Sequence, residues 1–290
     1  MRISRYFFLL TIFVLLFGPL FLFSACKSKP KTKEGHPSIV FERVEAEDPL
    51  NLRLYFTLNI ENPFSESGEA AIESWHIDIN GKRANSGFTL ESPKKPIFRL
   101  TPGANSFPLE LNMDMAALKA QGLAPSDEYE VELTAQLKFS FNSAPSSIIE
   151  VSGTALFPGI AEPVFKINAI AILQAELINT RFRVSLEIIN PNPFPVELAS
   201  FSYELYGNGR LWADGKEKNI IRVAGKSTLK GDLYLLMNFI NMKRDLLDQV
   251  IELVDVRYRF EGEAMVSTEV DYLPKFTTRF ELSGYSEVFE

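Results

Sequence analysis

The stretch Phe182-Arg183-Val184-Ser185-Leu186-Glu187-Ile188-Ile189-Asn190-Pro191-Asn192-Pro193-Phe194-Pro195 decides the fold class. Phe182, Val184, Leu186 and Ile188 alternate with Arg183, Ser185 and Glu187. A period of two places the apolar side chains on one face of a strand and the polar ones on the other. Proline has no amide hydrogen to extend a ladder, so the first Asn-Pro ends the strand and turns the chain. The same pattern stands earlier. Leu54, Phe56, Leu58 and Ile60 alternate with Tyr55, Thr57 and Asn59, and the run ends in Asn62-Pro63-Phe64. The register between Ile60 and Ile188 is 128 residues.

Working outward, Ser74-Trp75-His76-Ile77-Asp78-Ile79-Asn80-Gly81 is echoed by Ser200-Phe201-Ser202-Tyr203-Glu204-Leu205-Tyr206-Gly207, and Phe98-Arg99-Leu100 with Gly103 by Ile221-Arg222-Val223 with Gly225. Each copy then offers a short helical stretch, Asp114 to Gln121 before Gly122 in the first and about Phe239 to Leu253 in the second. Leu246, Leu247, Val250 and Ile251 give the second an apolar stripe. More strands close each copy: Tyr129 to Phe141 and Ile148 to Phe157, then Val256 to Val270 and Phe276 to Ser283. Short strands punctuated by glycine, proline and Asn-Gly turns predict an all-β chain of two tandem immunoglobulin- or fibronectin-III-like β-sandwiches, each with a short helix. The boundary falls at Pro158-Gly159, which makes residues 37–158 the first sandwich and 159–290 the second.

A strand running into Asn190-Pro191-Asn192-Pro193-Phe194-Pro195-Val196 resembles the signature of the late embryogenesis abundant group 2 family, also called the water-stress and hypersensitive-response (WHy) domain. Asn62-Pro63-Phe64 resembles the same signature without its second Asn-Pro. The resemblance implies a sandwich of about seven strands plus a short helix. It also implies stress protection, with membrane-linked or lipid-handling roles in distant relatives, and no catalytic residues.

The front of the chain reads as an export signal. Arg2 and Arg5 precede an uncharged apolar run, 6–23, which closes in Phe23-Ser24-Ala25-Cys26. Small residues before a cysteine resemble the bacterial lipobox, although Phe23 stands where leucine is common. Residues 1–25 are therefore expected to be a lipoprotein signal peptide and Cys26 the lipidated first residue of the mature chain. The run is also just long enough to span a bilayer uncleaved. Cys26 is the only cysteine, which argues for lipidation: an exported chain gains no internal disulfide from it and risks oxidation. Two or three acyl chains hold a protein firmly where one does not, each methylene contributing about 0.8 kcal/mol. Lys27, Lys29, Lys31 and Lys33 lie in a segment, 26–36, that cannot bury a core, and this predicts a basic flexible tether. Its lysines either meet anionic head groups or form a solvated linker.

Without residues 1–25 the chain has 265 residues and, with 28 basic against 37 acidic side chains, a net charge of −9. An acidic body argues against nucleic acid as a partner. The expected partners are the membrane, through lipid on Cys26, and an envelope protein or lipid. The expected location is the cell envelope, facing periplasm or exterior.

Catalytic chemistry finds few candidates. His36 lies in the tether and His76 on a strand, so no histidine pair forms one site, and lipid on Cys26 removes thiol and cysteine–zinc chemistry. Gly225-Lys226-Ser227 resembles the end of a phosphate loop, but Ile220 stands where the first glycine belongs. Asp78-Ile79-Asn80-Gly81 resembles part of a calcium loop, but His76 and Gly87 occupy the first and last ligand positions. Ser92-Pro93-Lys94-Lys95 has a serine–lysine spacing with no helix to carry it. All three read as turns or loops. Trp75, Trp212 and the phenylalanines read as core, the alternative being a groove for an acyl chain. The sequence thus predicts no enzyme, no cofactor and no metal. It predicts a non-catalytic binding or stress-protective module, or in a second reading a carrier of lipid or another hydrophobic ligand in a sandwich groove.

Overall fold

Residues 36–91, 97–174, 180–237 and 257–285 are described by the computed structural model, and Pro37–Glu290 form one compact unit. Cys26, the tether up to residue 35 and the second helical stretch lie outside the described residues. So does Ser92-Pro93-Lys94-Lys95.

The fold is all-β and sandwich-like, built from antiparallel sheets. In the N-terminal half, β1 (Ser38–Asp48), β2 (Asn51–Asn62), β5 (Phe88–Glu91) and β7 (Gly103–Asp114) form a sheet in the order β1-β2-β7-β5. The second sheet holds β3 (Gly68–Ile79), β4 (Lys82–Ala84), β8 (Glu128–Ser140) and β9 (Ser147–Pro158) in the order β4-β3-β8-β9, with β6 (Ile97–Leu100) also on β3. Alternation brings one face of each strand inward. On β2, Leu52, Leu54, Phe56, Leu58 and Ile60 are buried. They meet Leu109 and Leu111 of β7, Ile77 of β3, and Val131 and Leu133 of β8 in one hydrophobic cluster. At about 1.5–3 kcal/mol per buried side chain, the five residues of β2 contribute on the order of 10 kcal/mol against chain entropy.

The C-terminal half comprises β10 (Val164–Gln174), β11 (Thr180–Asn190), β12 (Val196–Gly207), β13 (Arg210–Lys216), β14 (Ile221–Val223), β15 (Ser227–Met237), β16 (Tyr258–Ser267) and β17 (Lys275–Gly284). Its order is β10-β11-β15-β13-β12-β16-β17, with β14 on β12. This repeats the N-terminal order strand for strand, with one difference. In place of the separate β4 and β5, the single strand β13 pairs with β12 and, at Asp214 opposite Leu236, with β15. The two layers of this half are therefore joined through β13. Phe182, Val184, Leu186 and Ile188 of β11 point into a second cluster with Leu198, Phe201, Trp212 and Phe260.

The helix α1 (Met115–Ala120) follows β7. Asp114 accepts a hydrogen bond from the Ala117 amide (2.9 Å) and caps it, Met115 and Leu118 are buried, and Gly122 at φ +92° ends it. Among the described residues no helix is long and apolar enough to cross a membrane.

Two correspondences expected from the sequence are displaced. The hairpin after β3 turns on Asn80-Gly81, both at positive φ; the one after β12 turns on Asn208-Gly209, two residues beyond Gly207. Both strands are bulged, β3 between Ile72 and Ser74 and β12 between Ala199 and Ser202, so the 128-residue offset holds and Ser74 aligns with Ser202. Likewise Leu100 and Val223 end β6 and β14 opposite Gly68 and Val196. The positive-φ residue that follows, however, is Gly103 in one half and Lys226 in the other.

Candidate functional site

The two Asn-Pro corners begin with the last residue of a strand. Asn62 ends β2 and is 2% exposed. Its Oδ1 accepts from the Phe64 amide (3.0 Å) and its Nδ2 donates to the Glu66 carbonyl (2.8 Å). Asn190 ends β11, is fully buried, and repeats both bonds one half later. Its Oδ1 accepts from the Asn192 amide (3.0 Å) and its Nδ2 donates to the Phe194 carbonyl (2.8 Å). The amide does what the missing ladder cannot: it pairs the main chain of a turn in which proline supplies no donor. Pro63 and Pro193 are exposed and Pro191 is half-buried. Phe64 is 37% exposed and rests on Phe141, ring centres 4.6 Å apart, whereas Phe194 packs against the C-terminal core.

Around Asn62 the chain is tied to a distant loop. Glu66 accepts hydrogen bonds from the Ser143 amide (2.8 Å) and hydroxyl, which hold its carboxyl below the usual range. Around Asn190 the ties are denser. Its Nδ2 also reaches the carbonyls of Val223 (3.2 Å) and Ala224 (3.1 Å), and its Oδ1 also accepts from Asn192 Nδ2 (2.9 Å).

Asn192, the asparagine that the first corner lacks, has a separate task. It is 2% exposed, and its side chain pairs with both backbone groups of Ala161, accepting from the amide (2.7 Å) and donating to the carbonyl (2.8 Å). Ala161 lies in the linker between β9 and β10, so the second Asn-Pro straps the connection between halves. The Lys226 amide donates to the Asn192 carbonyl (2.8 Å), while its ammonium meets Asp127 of the N-terminal half at 2.5 Å. Tyr272 completes the junction. Its hydroxyl donates to the Pro158 carbonyl (2.6 Å), its ring meets Phe157 edge-on at 6.0 Å, and burial raises its phenol above the ordinary range. Ala46 and Tyr272 pack against both cores. A groove of about 630 Å³ lies here, lined among others by Phe41, Val44, Leu156, Phe194 and Val270. Asn190 and Asn192 are brought together with the junction; Asn62, Pro63 and Phe64 form a separate corner. Neither Tyr272 nor Lys226 carried a signal in the sequence, since both become junction residues only through pairing across the halves.

Among the described residues no group of three or more His, Cys, Asp or Glu is arranged to hold a metal. His76 sits half-buried on β3 with Nε2 3.5 Å from Asp78 Oδ2. Trp212 is 2% exposed and stacks on Phe182 (5.8 Å), and Trp75 meets Phe88 edge-on (5.5 Å), so both tryptophans serve the cores. Asp214, Glu204, Glu261 and Glu281 stand directly opposite one another across β13, β12, β16 and β17. They line a shallow groove of about 750 Å³ with Lys216 and Arg279 beside them. Tyr206 donates to Glu204, and that bond pushes its phenol up to about 12. The Arg259 guanidinium lies 4.2 Å above the Tyr206 ring.

Residues 185–272 match the family model for late embryogenesis abundant proteins (LEA_2), which supports a late embryogenesis abundant type 2-like domain in this stretch, of a non-enzymatic, stress-related family. No curated protein sequence matches the chain. A crystal structure of a protein from Archaeoglobus fulgidus aligns at 16% identity over 43% of this chain and 97% of its own length, with a TM-score of 0.26. A β-glucuronidase from Bacteroides uniformis aligns at 14% identity over 80% of this chain and 26% of its own, TM-score 0.24. The periplasmic chaperone SfaE aligns at 12% identity over 87% and 96%, TM-score 0.25. These scores fall below what a common fold requires.

Proposed function

We propose that the chain is a lipid-anchored cell-envelope protein whose residues 37–158 and 159–290 are tandem late embryogenesis abundant type 2-like sandwiches, acting as a non-catalytic binding or stress-protective module. The observation that carries this reading is the match of residues 185–272 to a stress-related, non-enzymatic family. It falls on a half whose strand order and asparagine corner recur in the other half. Lipid on Cys26 fixes one end, residues 26–36 set the reach, and the sandwiches present their faces to a partner. The experiment is survival of drying by a deletion strain carrying the wild-type chain or Cys26→Ala. Survival equal to wild type in the uncomplemented deletion overturns the protective role. Metabolic palmitate labelling that persists in Cys26→Ala overturns the anchor separately.

The apolar groove beside Tyr272 favours a second reading, carriage of a lipid or other hydrophobic ligand. Native mass spectrometry of the purified chain then shows a co-purified lipid mass; a bare chain mass counts against it.

A further inference from the structure

We infer that the open edge of β15 is a self-association surface, and that two copies of this chain pair there antiparallel about a two-fold axis through Gly231. β15 pairs with β11 along its whole length, but with β13 only at Leu236. Among the described residues this leaves the edge from Thr228 to Tyr234 without a neighbouring strand. Unpaired backbone donors and acceptors on such an edge are a template for another strand.

The N-terminal half has the same edge but guards it. β7 is bordered by β5 only from Leu111's neighbourhood onward, at Glu110–Met113. Gly103 lies opposite Asn62 as Ser227 lies opposite Asn190, so Phe107 and Pro108 occupy the places of Gly231 and Asp232. Pro108 is tolerated inside β7 because its nitrogen faces away from β2, toward the open side, where it denies a donor to any incoming strand. Phe107 fills the space below, its ring 4.8 Å from Phe98. At β15 both guards are gone. A Cβ built on Gly231 would meet nothing within 4 Å.

The occupant follows from the strand's own sequence, Thr228-Leu229-Lys230-Gly231-Asp232-Leu233-Tyr234, which is complementary to itself when reversed. Pairing about Gly231 sets Lys230 opposite the second copy's Asp232, and the reverse, so two opposite-charge pairs form on the outer face. Leu229, 37% exposed, meets the second copy's Leu233 on the inner face. The hydrogen-bonding parity agrees. Asp232 shares with Pro108 the position whose nitrogen faces the open edge, so Thr228, Lys230, Asp232 and Tyr234 present their bonding groups there and pair with one another. Gly231 then falls on the axis in a non-hydrogen-bonded pair, where strands approach to about 4.5 Å between Cα atoms and a missing side chain is an advantage. Sliding the axis by one residue centres it on Lys230 or Asp232 and places like charges face to face, which specifies the register. The interface is isologous and closes at two copies.

The test uses the full chain in detergent. Sedimentation equilibrium is expected to give twice the chain mass at about 100 μM, and Lys230→Asp to weaken association about tenfold, with Lys230→Asp/Asp232→Lys restoring it. In a Cys26→Ser background, Gly231→Cys is the sole thiol and is expected to link two copies under mild oxidation at least about tenfold faster than Tyr234→Cys, which faces Thr228 rather than itself. Far-UV circular dichroism checks the fold of each variant, and the cross-linking comparison decides if a charge variant fails to fold. A monomer at every concentration, or equal linking at both positions, overturns the inference and means that the edge stays open or takes a different extended segment.

Discussion

Asn190 concentrates more hydrogen bonds in one buried amide than any other residue of the two corners. Its nitrogen serves three carbonyls and its oxygen two donors, whereas Asn62 makes one bond with each. Removing a buried amide leaves its former partners unsatisfied, at about 1–3 kcal/mol per group. Asn190→Ala is therefore expected to cost roughly 3–5 kcal/mol and Asn62→Ala roughly 1–2 kcal/mol, read from urea midpoints. Equal losses would show that the extra bonds contribute nothing. A second expectation concerns Tyr206. Its phenol is raised, so the neutral form is the one the fold favours. That contribution is whole below pH 10, the ordinary tyrosine value, and is lost as pH rises toward about 12. Absorbance titration at 295 nm should show a late phenol that vanishes in Tyr206→Phe and titrates earlier in Glu204→Gln.

At the level of strands, much is legible in the sequence itself. The alternations of β2 and β11 mark their buried faces residue by residue, and Asp114 and Gly122 bracket α1 correctly because capping is a local signal. The turn after β12 was not legible. The bulge between Ala199 and Ser202 moves the buried side chains from Val196 and Leu198 to Phe201, Tyr203 and Leu205, with Ser200 at φ +54° taking up the extra residue, and this break of phase does not show where the strand ends. The sequence alone therefore places the turn at Gly207, whose glycine has another cause. A Cβ there would lie 1.9 Å from the Trp212 ring, so Gly207 exists to seat the tryptophan, not to turn the chain. Gly207→Ala is expected to destabilise by roughly 2–4 kcal/mol and alter the near-UV circular dichroism of Trp212. Gly81→Ala, in open space at φ +73°, should cost only about 1 kcal/mol and leave that spectrum unchanged. The reverse ranking would return Gly207 to the turn.

Across the whole molecule, the asparagine signature pointed to a corner but not to what the corner holds. Spacing shows that Asn192 follows Asn190 by two; only the fold shows that it reaches back to Ala161. The same limit hid Tyr272 and Lys226, whose partners Pro158 and Asp127 lie about a hundred residues away in sequence. Asn192→Ala should leave both cores intact while loosening residues 159–163. Limited proteolysis is expected to cut the linker about tenfold faster in this variant than in wild type, with far-UV circular dichroism unchanged. Unaltered cleavage would mean that Tyr272 and Lys226 secure the junction by themselves.

The strap between Ala161 and Asn192 also imposes an order of events. A chain emerging amino-terminus first delivers everything β1 through β9 needs before it delivers the asparagine, which arrives 31 residues after the alanine it must hold. Until then the N-terminal half stands without this clasp, which shuts only once the C-terminal half has begun to form.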